Sequence, residues 1–146
     1  MADVTLEQAS LIVDAALRKG RETKCAPLTV AVLDRGGHLV AFKREDNSGI
    51  LRFDIAFGKA WGALGMGLGS RDLNERSSKN PVFFAALAAA SGGRVVPNPG
   101  GVLIKDAGGG IIGAVGISGD TADRDEVCAV AGIEAAKLKP DTGQKA

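Results

Sequence analysis

The sequence predicts an α+β domain built on a largely antiparallel sheet, and three observations carry that prediction. Two pairs of β-rich segments, "LTVAVLD" with "HLVAFKRE" and "VLIKD" with "IIGAVGIS", are each joined by a short glycine-containing turn, so each reads as a hairpin. Segments of helical apolar spacing lie before, between and after the hairpins, which is the pattern of helices covering an antiparallel sheet rather than a doubly wound one. At 146 residues, with no visible repeat or linker, the chain is one domain over residues 1–138 followed by a solvated tail over 139–146.

Each element has a local cause. Thr5 to Gln8, "TLEQ", has the form of a capping box, a hydroxyl at the N-cap and an amide side chain three residues on. Leu6, Ala9, Val13, Ala16 and Leu17 then recur at helical spacing, placing a first helix over about Leu6 to Glu22. "DRGG" is the turn of the first hairpin, and "DNSG" at 46–49 is a loop. From Leu51 the spacing is helical again, with Ile55, Phe57 and Leu64 as anchors. Gly58, Gly62 and Gly65 weaken that helix by about 1 kcal/mol each relative to alanine, a cost tolerated when something packs on the bare face. "SRDLNERS" reads as a short polar helix or turn, and Asn80-Pro81 starts a further helix that Gly92 and Gly93 stop. Thr121 caps a last helix, "ADRDEVCAVAGIEAAKLK", and "PDTGQKA" reads as solvated.

Composition excludes several function classes. The formal net charge is +1 and tyrosine is absent, so neither a basic surface nor interleaved aromatics point to nucleic acid. No apolar run approaches the roughly 18 residues of a membrane span, and the N-terminus lacks a secretory pattern, so a cytoplasmic protein with no membrane partner is expected. Cys25 and Cys128 have no CxxC spacing; buried free thiols are expected, with a disulfide as the alternative. One histidine and two isolated cysteines do not make a zinc site, and no metal site is expected.

The candidate functional residues each have a structural alternative. Gly108, Gly110 and Gly113 spell GxGxxG, but a strand follows where a dinucleotide site needs a helix, so this is a hairpin turn. His38 is an exposed turn residue or else an axial ligand or acid–base group. Arg44 is a surface charge beside Glu45 and Asp46 or else a carboxylate clamp. Lys59 lies among small and apolar residues, where it either snorkels or enters a pocket with a lowered pKa. Trp61, two residues on, projects from another side as core filler. Asp123, Asp125 and Glu126 fall in the first turn of the last helix, where they complement its dipole or face a pocket. No serine elbow or partner for the histidine supports a catalytic triad. The loop "GGRVVPNPGG", residues 92–101, spends four glycines and two prolines on one connection. It reads as the wall of a site holding a ligand or another subunit, with Gly100 and Gly101 presenting amides and Arg94 adding charge, or else as a tight connection.

With these residues in view, "VAVLDRGGHLVAFKRED", "DIAFGKAWGA" and the long stretch from "GGRVVPNPGG" to "AVAGIEAA" resemble the GlcG/HbpS family of haem-binding-protein-like domains, also found at the C-terminus of PduO-type proteins. The resemblance covers about Thr5 to Ala136. It implies a profilin-like fold, three layers α/β/α around a central antiparallel sheet, and homo-oligomers from dimers to octamers. It implies haem binding in some members, and a pocket carried here onto Arg44, Lys59, Gly92, Gly93, Pro97, Gly100, Gly101, Gly119, Asp125 and Glu126. Where the family has Met-Asp-Gly-Ala after the arginine, this chain has Glu45, Asp46, Asn47 and Ser48; where it has Thr-Ala after the lysine, this chain has Trp61-Gly62-Ala63. The E-x-x-E iron-binding pattern of one branch is not found.

Three readings follow. The first is a small-molecule-binding protein, for haem or a related tetrapyrrole, acting as an oligomeric accessory of catabolism. Lys59 and Arg44 would hold carboxylates, and iron would fall to His38, Met66, a cysteine or no side chain. The second is a cofactor-independent lyase, isomerase or hydrolase on a carboxylated or carbonyl metabolite, with Lys59, Asp125 or Glu126 as acid–base and Arg44 as anion clamp. The third is a non-catalytic scaffold.

Overall fold

The computed structural model describes residues 2–145. Its elements run α1 (Leu6–Glu22), β1 (Thr29–Asp34), β2 (Leu39–Arg44), α2 (Arg52–Met66), α3 (Ser70–Lys79), α4 (Pro81–Ala90), β3 (Gly101–Lys105), β4 (Ile111–Ser118), α5 (Ala122–Ala135) and β5 (Lys139–Asp141). The capping box is present in both directions, Gln8 N–H to Thr5 Oγ1 at 3.1 Å and Thr5 N–H to Gln8 Oε1 at 3.0 Å. Thr121 caps α5 by accepting from the Arg124 amide.

The five strands form one antiparallel sheet in the order β2-β1-β4-β3-β5. The two hairpins join through β1 and β4, whose register sets Thr29 against Ser118 and Asp34 against Gly113. Alternation then divides the side chains. Val30, Val32, Val115 and Ile117 face α1 and α5, together with Ile12, Val13, Cys128 and Ile133. Leu33, Leu103 and Ala114 face α2, with Ala60, Ala63 and Trp61. The fold is the expected three-layer α/β/α arrangement. On the α2 side the sheet is lined by small residues because the helix lies close: a Cβ on Gly116 would collide with the Ala56 carbonyl.

Two expectations at the C-terminus are corrected. The last helix ends at Ala135, where Lys137 takes a left-handed φ of 61° and Leu138 N–H returns to the Ile133 carbonyl. The tail from 139 is not simply solvated: Lys139–Asp141 pairs with β3 as an edge strand, pinned by a 2.6 Å bond from Lys105 Nζ to Asp141. "SRDLNERS" is helical throughout, and the apolar helix after it stands on the surface. No residue of α4 is buried, and Val82 and Phe83 are 83% and 49% exposed. No helix among the described residues is long and apolar enough to cross a membrane.

Candidate functional site

The stretch 92–101 has a neighbour, and it is helix α2. Val96 N–H bonds to the Gly58 carbonyl at 3.2 Å, and a Cβ on Gly58 would meet the Arg94 carbonyl and the Val96 side chain. A Cβ on Gly62 would stand 3.0 Å from Val95. The bare glycine face of α2 and the valine-proline loop are therefore complementary halves of one packing contact. Gly92 and Gly93 have φ of 66° and 81° and close the end of α4. Gly100 has φ of 118° and packs against Lys59 Nζ, while Gly101 packs on the Lys59 carbonyl. The Gly101 amide does not present itself to an anion: it donates to Ser70 Oγ at 2.7 Å in the interior. Pro97 is half-buried in the same run. Gly119 is explained by its approach to the Pro27 carbonyl and Leu28, not by a pocket.

Lys59 neither snorkels nor enters an open pocket. Its ammonium lies at the end of the sheet beneath α5, donating to the Ile117 carbonyl at 2.9 Å and to Asp125 Oδ2 at 3.2 Å. The two side chains are 3% and 1% exposed. Asp125 Oδ1 accepts the Asp120 amide at 2.9 Å. Burial pushes the lysine pKa down and the aspartate pKa up, while each partner's charge opposes the shift of the other. Both groups are sealed and mutually satisfied, which is the geometry of a structural ion pair. Glu126 is likewise engaged, accepting Arg71 Nε at 3.1 and 3.0 Å. Burial raises its pKa, against the pull of Arg71. Arg44 is exposed at the end of β2 and turns back onto the Ser48 carbonyl at 3.1 Å.

The residues expected to line one pocket thus fall at two ends of the sheet. Arg44, Lys59, Gly119, Asp125 and Glu126 lie toward the Thr29–Ser118 end. His38 lies at the β1–β2 turn, beyond the Leu33–Leu39 pairing, about 20 Å from Arg44 at strand rise. Arg94, which closes over the other side of Trp61, belongs with His38.

At the turn end the structure assembles an arrangement that the spacing of residues did not reveal. Trp61 stands between two open hollows of about 190 Å³ and 130 Å³. The larger is apolar, walled by Gly62, Gly65 and Met66 of α2, Leu87 and Ala90 of α4, and Val95. The smaller runs from Trp61 and Leu64 to Arg35, Gly36 and Gly37. The Arg94 guanidinium lies 4.0 Å from the Trp61 ring centre, a cation–π contact. Gly37, at φ 82°, passes the indole edge where a side chain would crowd it at 3.0 Å. His38 adjoins this corner, 80% exposed, its Nδ1 3.1 Å from Asp34 Oδ1. Asp34 also accepts the Gly36 and His38 amides at 2.9 and 3.0 Å. Against some desolvation, those amide bonds and the imidazole hold its carboxyl below the usual range.

The sequence sign for this pairing was the aspartate four residues before the histidine, folded back by the Gly-Gly turn. Trp61 was not legible as a site residue, because nothing local says that Arg94, 33 positions on, will cover it. An Asp–His pair whose Nε2 faces outward is suited to metal ligation, since the carboxylate fixes the orientation of the ring. Arg94 and Arg35 are the cations beside this groove, Arg94 with its Nε on the Ser91 carbonyl at 2.9 Å and Arg35 paired with Asp3 at 3.3 Å. Among the described residues no cluster of three or more metal-ligating side chains exists. The thiols are unsuited as iron ligands, because both are buried and the Cys128 thiol is pushed up to about 12 by burial and by Cys25.

Comparison with known proteins places the chain. It is 27% identical over 134 residues, 92% of each chain, to an uncharacterized 15.0 kDa protein of the dhaT-dhaS intergenic region of Citrobacter freundii. Its fold matches that of the Klebsiella pneumoniae protein ORFY, at 25% identity and a TM-score of 0.84 over 94% of this chain and 92% of that one. It also matches a PduOC:heme complex, at 23% identity and a TM-score of 0.85 over 98% of this chain and all of that one. The family model described as haem degrading protein HbpS-like matches residues 4–134, and the chain belongs to that HbpS-like family.

Proposed function

We propose that this chain is a cytoplasmic, oligomeric binding protein for haem or a related tetrapyrrole, seated in the groove that Trp61 divides. The observation that carries this reading is the joining of three features at one corner. They are an indole with an apolar hollow on one side and a hollow reaching Arg35 and the Gly36-Gly37 turn on the other, two neighbouring arginines, and a histidine whose Nδ1 is held by a carboxylate. A tetrapyrrole asks for those three: a flat apolar wall, cations for its carboxylates and an axial nitrogen. Family membership and the heme complex of a structural neighbour support it. Each hollow is smaller than a usual ligand pocket of roughly 300–1,000 Å³, so a macrocycle spans both across Trp61 and keeps an edge outside. His38 would ligate iron, and Arg94 with Arg35 would take the carboxylates. Arg44 and the Lys59–Asp125 pair have no part in this seat.

The reading of a lyase, isomerase or hydrolase is not favoured. Its acid–base groups are the sealed pair, and a catalytic group must reach the proton it moves. The uncovered apolar helix α4, bordering the groove through Leu87 and Ala90, supports self-association.

The test is haem titration of the apoprotein followed at the Soret band. A saturable shift at a fixed ratio per subunit is expected, with its position altered in His38→Ala and its affinity lowered in Arg94→Ala. A saturable shift that neither variant changes would remove the ligand from this groove, and no saturable shift would end the tetrapyrrole reading.

A further inference from the structure

Cys25 and Cys128 stand 103 positions apart in the chain, yet their sulfurs are 4.0 Å apart. Cys25 lies in the short loop after α1, and Cys128 on the face of α5 that packs on α1. Both are buried, at 4% and 0% exposure. A bonded pair of sulfurs is about 2 Å apart, so closing the gap takes small side-chain rotations and a slight approach of the loop. The loop turns at Lys24, which holds a left-handed φ of 58° one residue before the cysteine, and the Cys25 amide returns to the Gly20 carbonyl at 2.9 Å. We propose that Cys25 and Cys128 are a redox-active dithiol, closed reversibly by exchange with a low-molecular-weight disulfide such as oxidised glutathione.

The two thiols have unequal roles. Cys128 is the inert one, its thiol pushed up to about 12 by burial and by the neighbouring sulfur. Cys25 is at the edge of the core, slightly exposed where Cys128 is not, with its sulfur 3.4 Å from the Thr23 hydroxyl, whose proton goes to the Lys19 carbonyl at 2.8 Å. Cys25 as thiolate attacks one sulfur of oxidised glutathione. The glutathione disulfide bond breaks, a mixed disulfide forms on Cys25, and one glutathione leaves as thiolate. That thiolate takes up the proton which Cys128 must lose. The Cys128 sulfur then attacks the Cys25 sulfur and expels the second glutathione. The balance is two protein thiols and one glutathione disulfide giving one protein disulfide and two glutathiones, with two electrons passed to glutathione.

The bond would tie the α1–β1 loop to α5 one helical turn from Asp125, the carboxylate that holds Lys59. The dithiol lies on the opposite side of the sheet from the Trp61 groove, so the proposal does not depend on the tetrapyrrole reading.

The experiment equilibrates the full-length protein in glutathione buffers of graded ratio, blocks free thiols with N-ethylmaleimide under denaturing conditions, and reads intact mass. Expected is a species lighter by two hydrogens and carrying no maleimide, monomeric on a non-reducing gel and restored by dithiothreitol. Because the bond closes a loop of about 100 residues, the oxidised form should melt roughly 5–15 °C higher. Cys25→Ser should give neither product, and Cys128→Ser should stop at the mixed disulfide. Two maleimide-labelled thiols at every ratio, a lasting glutathione adduct on the wild type, or bonds only between chains would each overturn the proposal. The wild-type mass decides the matter even if a variant fails to fold.

Discussion

Removing the ammonium of Lys59 tests the assignment of its pair as structural. Lys59→Met keeps the stem volume and deletes the charge. It leaves the Asp125 carboxylate, 1% exposed, with only the Asp120 amide, and leaves the Ile117 carbonyl without its 2.9 Å donor. Breaking a buried pair by removing one partner costs about 3–5 kcal/mol. For a chain of this size each kcal/mol lowers the melting midpoint by about 2–4 °C, so a fall of roughly 6–20 °C is expected. Replacing both partners with apolar groups, Lys59→Met with Asp125→Leu, removes the stranded charge and should recover a large part of that loss. The assay is urea unfolding of wild type, both single variants and the double, analysed as a cycle. If Lys59→Met unfolds within about 1 kcal/mol of wild type, or if the double loses the sum of the singles, the pair is not the coupled internal contact described. Haem titration of the same folded variant should match wild type, which separates this pair from the ligand groove.

Gly58→Ala should destabilise by about 1–3 kcal/mol despite alanine's better helix propensity, because its methyl would enter the Arg94 carbonyl. A stabilised variant in thermal unfolding would mean that the 94–96 segment does not lie on that face. Val82→Asp with Phe83→Asp places two charges on the uncovered side of α4 and should lower the particle mass seen by light scattering, while α5 and the sheet stay folded by circular dichroism. A wild type already monomeric, or an unchanged oligomer, would remove α4 from the assembly contact.

Much of the architecture was legible because its causes are local. Thr5 with Gln8, Asn80 with Pro81, and Thr121 mark helix starts within four residues of themselves, and α1 begins and ends where the spacing placed it. Both hairpins follow from glycine turns between β-rich segments. The edge strand β5 was not legible: "KPD" has no strand character, and only the open side of β3 and the Lys105–Asp141 bond make it one.

For the site, local reading put together residues that the structure sets at two ends of the sheet. His38 and Arg44 are six positions apart, yet a strand carries them to opposite ends of the sheet. Lys59 read equally well as snorkelling or as entering a pocket, since its own helix says nothing of the aspartate that meets it from α5. The four glycines of 92–101 signalled close packing, which is what a missing side chain permits. They could not say whether the neighbour was a ligand or Gly58 and Gly62 of the same chain. Backbone preference, capping and periodicity act over a few residues, and by themselves they determined the elements and the fold class. The partners of Lys59, Trp61 and Cys25 lie 66, 33 and 103 positions away. Only closure of the sheet between its two helical layers decides which distant side chains share a cavity, a charge or a sulfur contact.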